Sequence, residues 1–206
     1  MGNNKKENNN SYKIEITSGL KKYASLLKRI ETMLEEERIV FAIDGGCGSG
    51  KTTLANMLRE FYDCNIFRMD DFFLQPHQRT KERYEEAGGN VDRERFLEEV
   101  LIPLKKGEQI HYKRFDCKTF TILPEVIIEP KKINIIEGSY SMHPLLAEYY
   151  DFGVFLEIDS NLQRERILKR NTPEMANRFF ETWIPMEEMY HQKMKVKERC
   201  SLQYKI

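Results

Sequence analysis

The run Gly45-Gly46-Cys47-Gly48-Ser49-Gly50-Lys51-Thr52 constrains this chain more than anything else in its 206 residues. It satisfies the pattern G-x-x-x-x-G-K-[ST] at every fixed position. Ile39-Val40-Phe41-Ala42-Ile43 precedes it, a short apolar run without alternation that reads as a strand covered on both faces. A helical pattern over 51–62 follows. Strand, glycine-rich turn and helix in this order form a phosphate cradle. The glycines let backbone N–H groups turn inward around anionic oxygens, and the helix N-terminus adds its positive dipole end. Lys51 reaches the β- and γ-phosphates as a mobile charge, the Thr52 hydroxyl suits Mg²⁺, and Thr53 suits the α-phosphate. ATP and Mg²⁺ are the cofactors this pattern predicts, with residues 45–53 as the binding segment.

Further apolar β-rich runs lie at 65–69, 133–136 and 154–158, separated by helical stretches, and 201–206 adds a short terminal strand. Alternating strands and helices predict an α/β fold with a parallel sheet. At 17–37, Leu20, Tyr23, Leu26, Leu27, Ile30 and Leu34 recur at three- and four-residue steps, predicting an amphipathic helix docked on the core. Residues 1–14 are polar and Asn-rich and read as a disordered tail before a single domain over 15–206. Asp92 reads as the N-cap of a helix that stops at Pro103. Ser160 and Gln163 read as a capping box for a helix carrying Arg164, Arg166 and Arg170.

Composition narrows the function classes. Lys+Arg 33 balance Asp+Glu 33, which argues against nucleic acid as partner. No apolar run approaches 18 residues, so no membrane span is expected. Four dispersed cysteines and the lack of an apolar leader fit a reducing cytoplasm. His77, His111, His143 and His191 have no metal-ligand spacing. Phe179, Phe180, Trp183 and Ile184 form an apolar group suited to packing or to an interface between copies in a homo-oligomer. Cys47, at a helix N-terminus, invites a redox role through a lowered thiol pKa.

Two acids end strands beside the cradle. Asp70 follows the second strand, 19 residues after Lys51, and ligands of open parallel sheets sit beyond the carboxyl ends of the strands. A carboxylate there can take a proton from an attacking hydroxyl or hold Mg²⁺ through water. Asp71 points elsewhere. Glu137 follows Ile135-Ile136 in the position of a Walker B acid, serving Mg²⁺ with Thr52. Asp44 orients loop amides or is structural. Arg79, Lys81 and Arg83 form a solvated loop or greet an anionic acceptor. An N-K-x-D base-reading motif is missing, which argues against a GTPase.

The segments AIDGGCGSGKTT (42–53), MDDFF (69–73), GGNVD (88–92), YKRFDC (112–117), IIEGSY (135–140) and FLEID (155–159) followed by QRERILKR (163–170) resemble the uridine kinase/phosphoribulokinase family of P-loop kinases, and its bacterial uridine-kinase-like branch in particular. The resemblance covers about 40–190. It implies a doubly wound P-loop NTPase fold with five central parallel strands and helices on both faces, and transfer of the ATP γ-phosphoryl group to a hydroxyl of a nucleoside-like small molecule, with Asp70 as base. It implies that Asp92 holds ribose hydroxyls, that Tyr112 and Phe115 frame the base, and that lid arginines Arg166 and Arg170 clamp the phosphoryl group. Phe115 stands where the family has Tyr, Cys117 where it has Phe, and Phe120 where it has a base-reading His. Uridine is the leading acceptor, with pantothenate or a sugar phosphate as alternatives. From another class, a nucleotide-dependent module with slow ATPase activity would use 183–197 as an exposed partner surface.

Overall fold

The computed structural model describes residues 19–206, so the expected tail lies outside the described residues. Among the described residues there are nine strands: β1 Ile39–Gly45, β2 Cys64–Arg68, β3 Ile110–Tyr112, β4 Phe115–Asp116, β5 Thr121–Ile122, β6 Val126–Ile128, β7 Ile133–Glu137, β8 Phe152–Glu157 and β9 Leu202–Lys205. Five of them form one parallel sheet in the order β2-β7-β1-β8-β9. The other four pair as two small antiparallel ribbons, β3 with β6 and β4 with β5.

β1 is buried along its whole length because both sheet faces are covered. Val40 and Ala42 join a cluster with Phe67, Phe72, Phe96 and Tyr190. Phe41 and Ile43 point the other way, onto Leu54, Leu58, Leu26 and Ile30. The second cluster holds the amphipathic segment, a 3₁₀ turn Lys21–Tyr23 running into the helix Ala24–Thr32, shorter than the sequence pattern suggests. The parallel register sets Arg68, Glu137 and Ile43 side by side, so three strands deliver their carboxyl ends to one level.

Two helix expectations need correction. The helix after Asp92 does not stop at Pro103. It runs over 93–106 through a π turn, Leu97–Leu101, and ends at Gly107 with φ +75°. The wider turn removes the clash that proline makes with the carbonyl four residues back. The same device recurs where the π turn Phe179–Trp183 precedes Pro185 in the helix Ile184–Lys193. The Ser160–Arg170 helix is capped by Asp159, whose carboxylate accepts from the amides of Asn161 and Leu162, so Ser160 is its first helical residue and not the cap. No helix among the described residues is long and apolar enough to cross a membrane.

Candidate active site

The loop between β1 and the helix Lys51–Phe61 wraps tightly because its glycines permit it. Gly45 has φ +142°, and a Cβ there would lie 2.3 Å from the Leu156 carbonyl oxygen. Gly48 adopts φ +77°, a left-handed turn that suits glycine. Lys51 Nζ donates to the carbonyls of Gly45 at 2.7 Å and Gly46 at 3.1 Å, and reaches Ser139 Oγ at 3.3 Å. The Ser49 hydroxyl is buried within the loop without a partner.

Asp44 holds this strand end from beneath. Its carboxylate accepts from the amides of Gly45 and Met142 and from the Tyr190 hydroxyl. Complete burial alone would raise its pKa, but His191, the Met142 amide and Lys51 outweigh that and hold it below the ordinary value.

The acids gather around Lys51. Thr52 Oγ1 donates to Glu137 Oε1 at 3.0 Å, and Arg68 Nε lies 3.4 Å from the same oxygen. Burial first, then the nearby Asp70 charge, push the Glu137 pKa up. Asp70 sits in the 3₁₀ turn Met69–Phe72 immediately after β2. Its side chain opens into a cleft walled by protein, and this desolvation raises its pKa, with Lys51 pulling it down and Glu187 and Asp71 pushing it up. Asp71 turns away and accepts from the Tyr112 hydroxyl at 2.8 Å.

These groups line one cavity of about 1300 Å³. That exceeds the 300–1,000 Å³ or so of a typical single-ligand pocket, so two substrates fit together. The sheet order orients it. Asp70, Phe73, Leu74, Asn90 and Tyr140 mark the end on the β2 and β7 side, the loop residues 47–53 its middle, and Met57, Tyr23 and Ile206 the β9 side. Arg166 and Arg170 are also on the wall. Arg166 donates to the Gly48 carbonyl at 2.8 Å, and the Arg170 guanidinium lies over the Phe179 ring.

Not every expected residue faces this cavity. Asp92 is 2% exposed, caps the Arg95 amide and pairs with the Arg95 guanidinium at 3.4 Å. Its oxygens are spent on the helix it starts, and it is not part of the cavity wall. Tyr112 is buried against Phe67 and Phe72, its hydroxyl held between Arg68 and Asp71. Phe115 is buried behind the wall. Asp92, Tyr112 and Phe115, expected at the acceptor, therefore do not line the cavity in this arrangement. The segment 183–197 buries one face, with Glu187, Tyr190 and Val196, and exposes Pro185, Glu188, Gln192, Lys193 and Lys195 on the other. Phe179, Phe180 and Ile184 pack on Cys47, Ile167 and Ala176.

Cys47 corrects a further expectation. Burial and the neighbouring Glu187 carboxylate push its thiol pKa up to about 12, opposite to the lowering expected at a helix start. Iodoacetamide at pH 8 is expected to modify exposed Cys117 and to leave Cys47 unmodified on the same timescale, a result peptide mass mapping would read.

Glu187 was not singled out by the sequence pattern. Its carboxylate accepts from the Cys47 amide at 2.7 Å and from Ser139 Oγ at 2.6 Å, tying the last long helix to the loop. Its spacing carried a signal: Ile184, Glu187 and Tyr190 fall at three-residue steps, placing the acid on the buried stripe of that helix. Asn90 and Tyr140 also went unread. The Asn90 side chain and the Tyr140 hydroxyl sit on the cavity wall beside each other, with no third hydrogen-bond partner.

The sequence and the fold are similar to those of known proteins. The model of the Phosphoribulokinase / Uridine kinase family matches residues 40–178. The chain belongs to that family. It is 28% identical over 150 residues to a uridine kinase of Oceanobacillus iheyensis, an alignment covering 69% of this chain and 71% of that one. It is 28% identical over 180 residues to the bifunctional alpha-galactosidase/sucrose kinase AgaSK of Mediterraneibacter gnavus, covering 76% of this chain and 19% of that larger protein. Among solved structures, a possible uridine kinase from Bacillus stearothermophilus superposes with TM-score 0.63 at 22% identity, over 87% of this chain and 99% of that one. The chain is thus a P-loop kinase of the α/β class, a phosphotransferase acting on a hydroxyl acceptor.

The residues fit the cofactors of such an enzyme. Thr52 and Glu137 offer two hard oxygens 3.0 Å apart, suited to Mg²⁺, which takes one or two protein ligands beside substrate phosphates and water. The glycine-lined loop and the orphan Ser49 hydroxyl suit a polyphosphate.

Proposed function

We propose that the protein transfers the γ-phosphoryl group of ATP to a hydroxyl of a small acceptor bound at the β2 and β7 end of the cavity. The observation that carries this reading is the meeting of the phosphate loop, Lys51, the Thr52–Glu137 pair and Asp70 around one space. Asp70 accepts the proton of the acceptor hydroxyl as its oxygen bonds to the γ-phosphorus and the bond to the ADP oxygen breaks. Loop amides, Lys51, Arg166 and Arg170 offset the charge on the moving group. Thr52 and Glu137 would hold Mg²⁺, which neutralises charge on the phosphate oxygens. Catalysis is then mostly positioning and electrostatics.

The acceptor favoured by the relatives' names is a nucleoside, uridine first. A sugar-type acceptor is a second reading with its own support. Asp92, expected to hold ribose hydroxyls, is engaged by Arg95, and Phe120 supplies no hydrogen bonds to a base edge. The relative AgaSK carries the name of a sucrose kinase.

Incubation with γ-labelled ATP and a panel of nucleosides, sugars, sugar phosphates and pantothenate tests the reading. Acceptor-dependent label in a small-molecule product is expected. Label found only as free phosphate would instead favour a slow ATPase module.

Glu187 acts as a positioning residue for the loop. Glu187→Ala is expected to raise the KM for ATP at least about tenfold, the low end for losing a single hydrogen bond to a charged group, with a smaller change in kcat. Glu187→Gln keeps an acceptor for the Cys47 amide and should recover most of that loss. Equal damage by both variants would show that the negative charge, and not the loop geometry, matters.

A further inference from the structure

Three basic residues, Arg79, Lys81 and Arg83, follow the turn after β2, and the structure separates their roles. Arg83 is spent: its guanidinium donates to both Glu94 oxygens, to Glu86 and to the carbonyls of Gly89 and Val91. Lys81 is 82% exposed and pairs with Glu85 on its own helix. Arg79 alone reaches the cavity wall. Its Nε donates to the Leu74 carbonyl at 2.9 Å, which fixes the guanidinium in place. The group lies 4.8 Å from the Phe120 ring centre and 5.6 Å from that of Phe115, against the Cys117 thiol. Among the described residues no carboxylate pairs with it, and beyond the Leu74 carbonyl and the Cys117 thiol its donors are left for a ligand.

A half-buried guanidinium held by aromatic faces and left without an anion is a ready fork for a carboxylate or phosphate. Lys118 adds a second cation on the same stretch of wall. The opposite charge lies deeper, at Asp70 and Glu137. An acceptor with an anionic group at one end is therefore oriented by the field: the anion turns outward to Arg79 and Lys118, and the hydroxyl inward to Asp70. Between them stand two polar groups on the wall, the Asn90 side chain and the Tyr140 hydroxyl, engaged only with each other. Tyr140 and Phe120 hold φ of +76° and +58°, a strained conformation for bulky side chains that persists where the surroundings enforce it.

We propose that Arg79 is a specificity-determining residue and that the acceptor is a hydroxyl compound bearing an anionic group, a phosphate or a carboxylate, which the Arg79 fork binds. This rests on the kinase reading above and chooses among its acceptors.

The test compares matched pairs in the labelled-ATP assay: fructose with fructose 6-phosphate, ribose with ribose 5-phosphate, and panthenol with pantothenate. Neutral nucleosides run beside them. The anionic member of at least one pair is expected to exceed its neutral partner about 30-fold or more in kcat/KM, the scale of a charge-assisted bidentate contact. The sugar phosphates and pantothenate tell phosphate from carboxylate. Arg79→Met, which keeps the apolar stem, is expected to collapse that preference to within about threefold by raising the KM for the anionic acceptor, with the KM for ATP little changed. Arg79→Lys should recover part of it, since charge returns without the fork. A neutral nucleoside or sugar accepting phosphate as well as any anionic compound would overturn the inference and leave the kinase standing. A preference that survives Arg79→Met would also overturn it. Transfer to none of the acceptors would overturn both readings.

Discussion

Asp70→Asn is expected to lower kcat for phosphoryl transfer at least about 100-fold, the scale of a lost general base, while leaving nucleotide affinity nearly intact. The same substitution is expected to raise the melting temperature of the nucleotide-free protein at neutral pH. The first effect follows from losing the base, the second from desolvation. Asp70 is open to the cavity, but the surrounding walls desolvate its carboxylate and raise its pKa above the ordinary value, so the folded state binds this proton more tightly than the unfolded chain. Wild-type stability is then helped below the ordinary carboxylate pKa and loses that help as pH rises through the raised one. Asparagine carries no charge at any pH. The gap in melting temperature should be smallest near pH 4 and widen toward pH 7, as calorimetry over that range would measure. The kcat profile should show the matching limb, rising with pH through the raised Asp70 pKa. A variant with near-normal turnover would remove Asp70 from the role of base, and one melting below wild type at neutral pH would contradict the desolvation argument.

Lys51→Met is expected to cost on the order of 1000-fold in kcat, the upper scale for losing one preorganised donor to a developing anion. A second consequence separates this from general damage. Lys51 is the largest influence pulling the Asp70 pKa down and also lowers that of Glu137. Its removal should move the acid limb of the residual activity to higher pH. A residual profile with an unmoved limb would mean that the lysine and the two acids are not electrostatically coupled.

The parts of this site legible in the sequence are those built by local chain. The apolar strand, the glycine turn and the helix after it are contiguous, so spacing alone places Lys51 and Thr52. Asp70 and Glu137 each end a strand, and a parallel sheet brings strand ends to one level whatever the loops between them do. The acceptor end is different. Asp92, Tyr112 and Phe115 are where the chain order suggests, yet their side chains turn to Arg95, Asp71 and the protein interior, choices made by partners remote in sequence. Glu187 meets Cys47 across 140 positions. Arg79, Lys81 and Arg83 look equivalent on paper, and only packing decides which of them is left without a carboxylate. The two π turns escaped notice because proline reads as a helix stop unless the preceding turn widens.

The central claim is that the nucleotide lies along the cavity with its terminal phosphate toward β2, beside Asp70. A crystal structure with a non-hydrolysable ATP analogue and Mg²⁺ tests it most directly. The account predicts a γ-phosphorus within about 5 Å of the Asp70 carboxylate, near-attack range once an acceptor oxygen lies between them, and open space toward Asn90 and Tyr140. A triphosphate running the other way, toward Tyr23 and Ile206, would contradict it.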